Sequence, residues 1–243
     1  MIDNSKQMID IFKCWREKLN ISDDFTFSNA TWINLEEDLE DSRKLILYEF
    51  NDSTVIRMGK ETAKTLGLGR SIQPYVSYHQ LVHLCKKYDL SLKKEYKLYD
   101  YFLKQKKLQP CDYGYETAML DRENDRTDMR TLFNACREKE LDDADIYTDD
   151  IDPVNVGIYL DKILVAYASY RMFDSTVCDI GVLIHPMYRN KGLGKSVVSG
   201  ICKLCFENNV IPMYRVFEDN PSSIRIPRAL GFDMIVSVSR FDI

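Results

Sequence analysis

Residues 189–196, RNKGLGKS, combine two glycines with three basic side chains between two apolar runs. The preceding run, CDIGVLIHP, is typical of a strand, and the following run, VVSGICKLCF, is typical of a helix. Gly192 and Gly194 let main-chain N–H groups approach a ligand, and a helix that begins there adds unpaired donors and a positive dipole end. With Arg189, Lys191 and Lys195 alongside, the stretch predicts a phosphate or pyrophosphate site.

Two phosphate-binding motifs compete for this stretch. The end of the P-loop pattern Gly-x-x-x-x-Gly-Lys-Ser/Thr matches GKS at 194–196, but its first glycine would stand at Arg189. The second pattern is Arg/Gln-x-x-Gly-x-Gly/Ala after a strand that ends in Val-x-Pro. Arg189, Gly192 and Gly194 fit that pattern fully, and IHP at 184–186 fits with Ile in place of Val. The second pattern is therefore the better match.

At these residues the C-terminal region, residues 113–243, resembles the GCN5-related N-acetyltransferase (GNAT) family. A second segment, NPSSIRIPRALGF at 220–232, is similar to the family's later Asn-x-x-Ala/Ser-x7-Gly-Phe pattern. Both motifs stand in the family's order. The resemblance implies an α/β fold with a mixed, mostly antiparallel sheet flanked by helices, and an acetyltransferase that uses acetyl-CoA as cosubstrate.

The resemblance also implies which residues hold acetyl-CoA. The pyrophosphate would lie on the turn formed by Arg189, Asn190, Lys191, Gly192, Leu193, Gly194 and Lys195. The pantetheine arm would pair with the main chain of Val182, Leu183 and Ile184. Asn220 would reach the same arm from the start of the next helix, where asparagine is also a favoured N-cap. For Gly231 we expect only a helix C-cap.

Acetyl transfer needs a neutral amine, an oxyanion donor and a fate for the leaving thiolate. The resemblance assigns the oxyanion donor to the main-chain N–H near Ile184 and the general base to Asp179, the acid on that strand, which is otherwise a solvated strand-end aspartate. The family's tyrosine acid falls at Pro227 in this sequence. Tyr214, Tyr188 or release of the thiolate to water, at a thiol pKa of about 8.5, remain alternatives.

The order of elements predicted over residues 113–243 is β-α-β-β-β-α-β-α-β, beginning with a strand at 115–121 and a helix at 125–141. Residues 1–110 are predicted to form an accessory α+β domain, with a helix at 5–19, a hairpin at 44–58 and a helix at 76–88. Its resemblance to a degenerate GNAT domain is loose. We expect it to form one wall of the acceptor cleft.

Composition restricts the class of protein. The 243 residues carry a net charge of -5, which argues against a nucleic-acid binder even though residues 86–107 hold eight lysines and five aromatic rings. No apolar run approaches the roughly 18 residues of a membrane span, and the N-terminus lacks a signal-peptide core. Seven cysteines without regular spacing indicate reduced thiols. We expect a cytoplasmic protein without nucleic-acid or membrane partners, and leave a homo-oligomer open.

Two other clusters invite a metal-site interpretation. Cys202 and Cys205 form C-x-x-C in the middle of a predicted helix without a second ligand pair, and His79 and His83 lack the glutamate of H-E-x-x-H. We therefore expect no metal. The stretch LDDADIYTDDID at 141–152 holds six aspartates, which either attract a cationic acceptor or form a solvated loop.

These observations predict an N-acetyltransferase that transfers the acetyl group to a primary amine, on a small molecule or a protein, by direct attack in a ternary complex. A non-catalytic acyl-CoA-binding or regulatory module is the alternative, suggested by Pro227. A P-loop-like nucleotide binder is a weaker one, disfavoured by Arg189.

Overall fold

A computed structural model of the protein describes residues 4–69, 72–109, 111 and 113–243. The chain divides into two compact units. One comprises residues 8–100 and 234–243, and the other comprises residues 101–233 with the start of the first helix. The predicted division into domains 1–110 and 113–243 stays a prediction; residues 1–3, Arg70, Ser71, Pro110 and Asp112 lie outside the described residues.

The described helices and strands alternate irregularly along the chain. In the first half they are α1 (Asn4–Lys18), β1 (Ala30–Leu35), α2 (Glu37–Asp41), β2 (Lys44–Glu49), β3 (Thr54–Met58), α3 (Lys60–Thr65), β4 (Ile72–Pro74), α4 (Tyr78–Lys87) and β5 (Lys93–Phe102). In the second half they are β6 (Ala118–Met119), α5 (Arg126–Ala135), α6 (Glu138–Asp143), β7 (Val154–Leu160), β8 (Ile163–Met172), β9 (Val177–Ile184), α7 (Leu193–Glu207), β10 (Ile211–Phe217), α8 (Pro221–Leu230) and β11 (Asp233–Asp242).

In the unit of residues 8–100 and 234–243 the strand order is β4-β1-β3-β2-β11-β5. The predicted hairpin is confirmed, since β2 and β3 pair antiparallel on either side of residues 50–53. Its apolar side chains, such as Leu45 and Ile56, are fully buried in one cluster with Leu81 of α4. The sequence analysis missed β1, α2 and β4; β1 pairs parallel with β3, a long-range contact that local periodicity does not encode.

In the unit of residues 101–233 the strand order is β10-β9-β8-β7-β6. β7 and β8 form a hairpin, and its two turn residues, Asp161 and Lys162, both have left-handed backbones, with φ of 49° and 66°. Such a turn matches the right-handed twist of the flanking strands. The sheet is mostly antiparallel, with helices packed on it, as the resemblance implied.

Two predicted elements of this unit are wrong in extent. The helix expected over 125–141 is broken at Cys136, whose backbone is extended, and continues as α6. α5 carries a stripe of buried side chains, Met129, Leu132 and Phe133, whereas CREKEL at 136–141 carries no such stripe. Packing against the core therefore stabilises a helix over the first segment but does not extend it straight through the second. The strand expected over 115–121 is reduced to β6, which pairs with β7 at Gly157 and Val156.

The helices that follow β9 and β10 agree with the sequence analysis. α7 buries most of one face, and α8 ends at Gly231, whose φ of 87° gives the left-handed C-cap that was predicted. A Cβ at Gly231 would lie 2.2 Å from the carbonyl oxygen of Lys107, so only glycine fits. Within the described part of the chain, the model contains no helix with the length and hydropathy that crossing a bilayer requires.

Candidate functional site

The turn between β9 and α7 places main-chain donors at the start of α7. Asn190 and Gly192 have positive φ values of 63° and 86°. Gly192 is the N-cap of α7 and supplies no side-chain acceptor, so the first N–H groups of the helix lack the usual cap partner. Together with the positive end of the dipole of a 15-residue helix, these groups can bind an anion.

The ammonium groups of two lysines lie beside this turn. The Lys195 Nζ donates to the Tyr113 hydroxyl at 2.9 Å. The Lys191 Nζ lies 5.0 Å from the centroid of the Tyr188 ring, which packs beside the turn. Both ammonium groups are therefore held near the N-terminus of α7, where a phosphate would be bound.

The third basic residue of the turn, Arg189, binds protein groups. Its Nη1 lies 3.0 Å from Glu140 Oε1, and its Nε donates to the Ile184 carbonyl at 3.3 Å. Glu140 also accepts from the Arg137 main chain and side chain, at 3.0 and 2.9 Å. The Arg189 guanidinium therefore ties the end of β9 to α6. That Arg189 contacts a pyrophosphate stays a prediction.

The two arginines hold the pKa of Glu140 at about 2, with Arg137 the larger cause. A carboxyl whose pKa is lowered by folding adds stability above its unfolded pKa, and that stability is lost as pH falls toward the folded pKa. We expect Glu140→Gln to lower the free energy of unfolding by about 1–2 kcal/mol at pH 7, because it removes the carboxylate from both ion pairs. The loss is limited to this range because Arg137 is exposed, so that solvent screens its attraction to Glu140.

The difference between wild type and Glu140→Gln should stay constant above pH 5 and shrink as pH falls from about 4.5, which urea unfolding at a series of pH values measures. Glu138→Gln is the matched control, since Glu138 is exposed in the same first turn of α6. A pH-independent difference, or an equal effect of the control, would contradict the role of the Arg137–Glu140–Arg189 cluster.

β9 and β10 separate at the point where a ligand arm could enter. Their parallel pairing covers three residue pairs of the described chain and ends at Asp179 with Met213, although β9 continues to Ile184 and β10 to Phe217. The His185 N–H donates to the Val165 carbonyl of β8. Because hydrogen-bonding direction alternates along an antiparallel strand, the N–H groups of Val182 and Ile184 point away from β8.

This free edge of β9 is the part of the chain predicted to bind pantetheine. A main-chain edge without a neighbouring strand can pair with an extended ligand arm as it would with a strand. The Ile184 carbonyl is occupied by Arg189, whereas its N–H points toward the gap left by β10, as an oxyanion donor should. The roles of Val182, Leu183 and Ile184 stay predictions.

Asp179, the predicted base, lies where the two strands separate. Its Oδ2 accepts from Arg215 Nε at 2.6 Å. Burial raises the pKa of Asp179, and the Arg215 guanidinium opposes this shift. Arg215 also lies 3.8 Å from Asp145, which follows α6. The carboxylate is thus held in an ion pair, and its role as a base stays a prediction.

Asn220 is the N-cap of α8, as its residue type predicted: its Oδ1 accepts from the Ser223 N–H at 3.1 Å. Pro227 lies buried inside α8, where the family would place a tyrosine. The Tyr214 hydroxyl is 2.7 Å from the Ser223 hydroxyl, and burial raises the pKa of Tyr214 well above its usual value. A fully buried phenol with a raised pKa is a poor proton donor to a ligand.

Arginines from other elements pair with part of the acidic stretch 141–152. Asp149 lies 3.6 Å from Arg130, and Arg171 pairs with Asp150 and Asp152, at 3.2 and 2.8 Å. With Asp145 on Arg215, four of the six aspartates have cationic partners. The electrostatic argument for a cationic acceptor is correspondingly weaker, and the acceptor hypothesis stays a prediction.

The other candidate clusters have structural explanations. Cys202 and Cys205 are buried in α7, and the Cys205 Sγ lies 3.4 Å from the Cys178 Sγ. His79 and His83 are exposed on α4. No group of three or more metal-ligating side chains occurs within residues 4–69, 72–109, 111 and 113–243. The Ser196 hydroxyl lies 3.4 Å from the Gly192 carbonyl of its own helix, a contact that does not favour the P-loop interpretation.

The sequence analysis missed three residues of this site: Tyr113, Glu140 and Arg215. Each acts through a partner 36 to 82 positions away in the chain. Only Glu140 carried a local signal, its spacing of three from Arg137 at the start of α6.

Comparison with known proteins identifies the family of this region. Residues 119–232 match the model of the acetyltransferase (GNAT) family. No curated protein matches the chain. Among solved structures, an acetyltransferase from the GNAT family of Colwellia psychrerythraea superposes with a TM-score of 0.51 at 17% identity, over 69% of this chain and 63% of that one.

A GCN5-related N-acetyltransferase from Sphaerobacter thermophilus gives a TM-score of 0.51 at 11% identity, over 68% of this chain and 56% of that one. A GCN5-related N-acetyltransferase from Kribbella flavida gives a TM-score of 0.49 at 16% identity, over 66% of this chain and 62% of that one. The chain spans less than two thirds of the length of these proteins, and at such identities the likeness concerns the fold. The family model and the fold agree: the C-terminal part of the chain, residues 119–232, matches the acetyltransferase (GNAT) family.

Proposed function

We propose that this chain is an acetyl-CoA-dependent N-acetyltransferase in which a primary amine attacks the thioester directly within a ternary complex. The observation that carries the proposal is the adjacency of an anion-binding turn at the start of α7 and an unpaired main-chain edge on β9. An acyl-CoA has the matching chemistry, a pyrophosphate joined to an extended amide arm. The family match over residues 119–232 supports the same ligand.

In this proposal the N–H groups of the α7 N-terminus, with Lys191 and Lys195, bind the pyrophosphate. The main chain of Val182–Ile184 aligns the pantetheine arm, and the Ile184 N–H stabilises the oxyanion. Asp179 lies at the branch of β9 and β10, where it accepts a proton from the attacking amine. Burial raises the pKa of its carboxyl, which suits a base, and the Arg215 guanidinium favours the ionised form.

The reaction forms a bond between the amine nitrogen and the acetyl carbon and breaks the bond from that carbon to sulfur. The amine proton leaves to Asp179, and the sulfur departs as a thiolate. Pro227 has no proton to donate, and the Tyr214 hydroxyl is buried on Ser223. We therefore propose that the thiolate is protonated by water, which a thiol pKa of about 8.5 permits.

We expect acetyl-CoA to raise the thermal unfolding temperature of the protein and ATP with Mg²⁺ to leave it unchanged. A ligand that binds only the folded state adds about 2.7 kcal/mol at a hundredfold excess over Kd. Differential scanning fluorimetry with acetyl-CoA, CoA and ATP measures this. Stabilisation by ATP but not by acetyl-CoA would favour the nucleotide-binding alternative.

Catalysis is tested separately from binding. Release of free thiol from acetyl-CoA in the presence of a panel of cationic, neutral and anionic amines would establish the transferase and the charge of its acceptor. Binding of acetyl-CoA without thiol release from any amine would instead favour a non-catalytic acyl-CoA-binding module, the alternative that Pro227 suggests.

A further inference from the structure

Cys111 and residues 113–117, the segment just before β6, lie along one face of α7. This face carries three small residues, one helical turn apart, each of which is contacted by a residue of the segment: Gly192 by Tyr113, Ser196 by Cys111 and Gly200 by Thr117. A Cβ at Gly192 would lie 2.7 Å from the Tyr113 ring, and one at Gly200 would lie 2.8 Å from the Thr117 hydroxyl. The close approach of the segment therefore depends on these small residues.

Where this segment meets the anion-binding turn, two tyrosines make polar contacts with it. The Tyr113 hydroxyl accepts from the Lys195 Nζ at 2.9 Å, and the Tyr115 hydroxyl donates to the Lys191 carbonyl at 3.1 Å. Tyr113 is 48% exposed, although one face of its ring packs on Gly192. Tyr113 lies outside residues 119–232, the part of the chain that matches the family.

An unrestrained lysine would bind a phosphate less well. Its ammonium sits on a flexible four-carbon stem, and part of the rotamer entropy of that stem is lost when a ligand immobilises it. An ammonium has three donors. The bond to Tyr113 uses one of them and leaves two for phosphate oxygens.

We propose that Tyr113 is a positioning residue for acyl-CoA: it holds the Lys195 ammonium beside the N-terminus of α7, where the ligand's phosphates bind. This inference rests on the proposed function and goes beyond it, because it assigns part of the binding site to the segment that precedes the family domain. It also gives Gly192 a second role, since the residue must leave room for the Tyr113 ring as well as for the ligand.

The test is a double-mutant cycle on CoA affinity, measured by calorimetry at low ionic strength. Tyr113→Phe keeps the ring on Gly192 and removes only the hydroxyl; we expect it to weaken CoA binding about threefold to tenfold. Lys195→Met removes the charge and should weaken binding about tenfold or more. If Tyr113 acts through Lys195, the double variant should bind no more weakly than Lys195→Met alone.

Tyr115→Phe is the matched control, because it removes a hydroxyl from the same segment that does not contact Lys195. Its effect on CoA binding should multiply with that of Lys195→Met. Unchanged affinity of Tyr113→Phe, or losses for Tyr113→Phe and Lys195→Met that multiply, would overturn the inference while wild-type binding still supports the proposed function. Failure of the wild type to bind CoA would overturn the proposed function, and the inference with it.

Discussion

Replacing Gly192 by aspartate is expected to weaken acetyl-CoA binding by about 100-fold or more. Gly192 is the N-cap of α7 and carries no side chain at the turn where the pyrophosphate would bind. A carboxylate there would repel the anion, and a unit charge about 4 Å away costs several kcal/mol near a protein surface. The measurement is the Kd of acetyl-CoA by calorimetry, with circular dichroism to verify the fold.

The side chain introduced at Gly192 would also disturb the protein itself, so the aspartate needs a control of equal shape. Any Cβ would press on the Tyr113 ring, and the φ of 86° disfavours most residues. Asparagine has the same shape as aspartate and tolerates this conformation equally well. We expect Gly192→Asn to cost about tenfold. Equal affinities of the two variants would show that charge at this turn plays no part in binding.

Much of this site could be predicted because its signals are local. The strand–turn–helix pattern around RNKGLGKS and the Asn-x-x-Ser segment at 220–223 each lie within one short stretch, and both fold as expected. Gly231 was predicted as a C-cap by the same local logic. Turn and cap chemistry depends on a few neighbouring residues, which is why sequence patterns encode it well.

The parts that could not be predicted depend on contacts between distant residues. The partner of Glu140 is Arg189, and the partner of Lys195 is Tyr113; neither pair has a signature in the chain. The break between α5 and α6 is a mixed case, because the loss of the apolar stripe after Phe133 is visible in the sequence, whereas residues such as Glu138 and Lys139 favour helix.

The acidic stretch 141–152 shows how charge in a sequence can mislead. Six aspartates in twelve residues look like an attractive surface for a cation. Three of these side chains, with their arginine partners, instead connect the loop to α5 and β8: Asp149 with Arg130, and Asp150 and Asp152 with Arg171. Formal charge along a chain therefore overstates the field at the surface when the cationic partners come from other elements.

Replacing Asp152 by asparagine is expected to lower the free energy of unfolding by about 2–4 kcal/mol. Its side chain is 6% exposed, and its two oxygens accept from the Arg171 Nε at 2.8 Å and the Ser169 hydroxyl at 2.7 Å. Removing one member of a buried charge pair leaves the other charge poorly compensated, which typically costs 3–5 kcal/mol. The expected loss is smaller here, because Arg171 is partly exposed and its ion pair with Asp150 remains in the variant. Urea unfolding at pH 7 measures the difference.

Asp149→Asn is the matched control, because Asp149 is 93% exposed and its ion pair with Arg130 spans 3.6 Å. We expect a change within about 0.5 kcal/mol for this variant. Equal losses for Asp149→Asn and Asp152→Asn would contradict the distinction between the buried Asp152 ion pair and the solvated Asp149 carboxylate.

The same two variants test whether the acidic stretch recognises the acceptor. If the stretch attracts a cationic acceptor, Asp149→Asn should raise the KM for that amine and flatten the salt dependence of kcat/KM without loss of stability. An unchanged KM in Asp149→Asn, beside a destabilised Asp152→Asn, would mean that the stretch serves the fold and leaves the choice of acceptor to other residues.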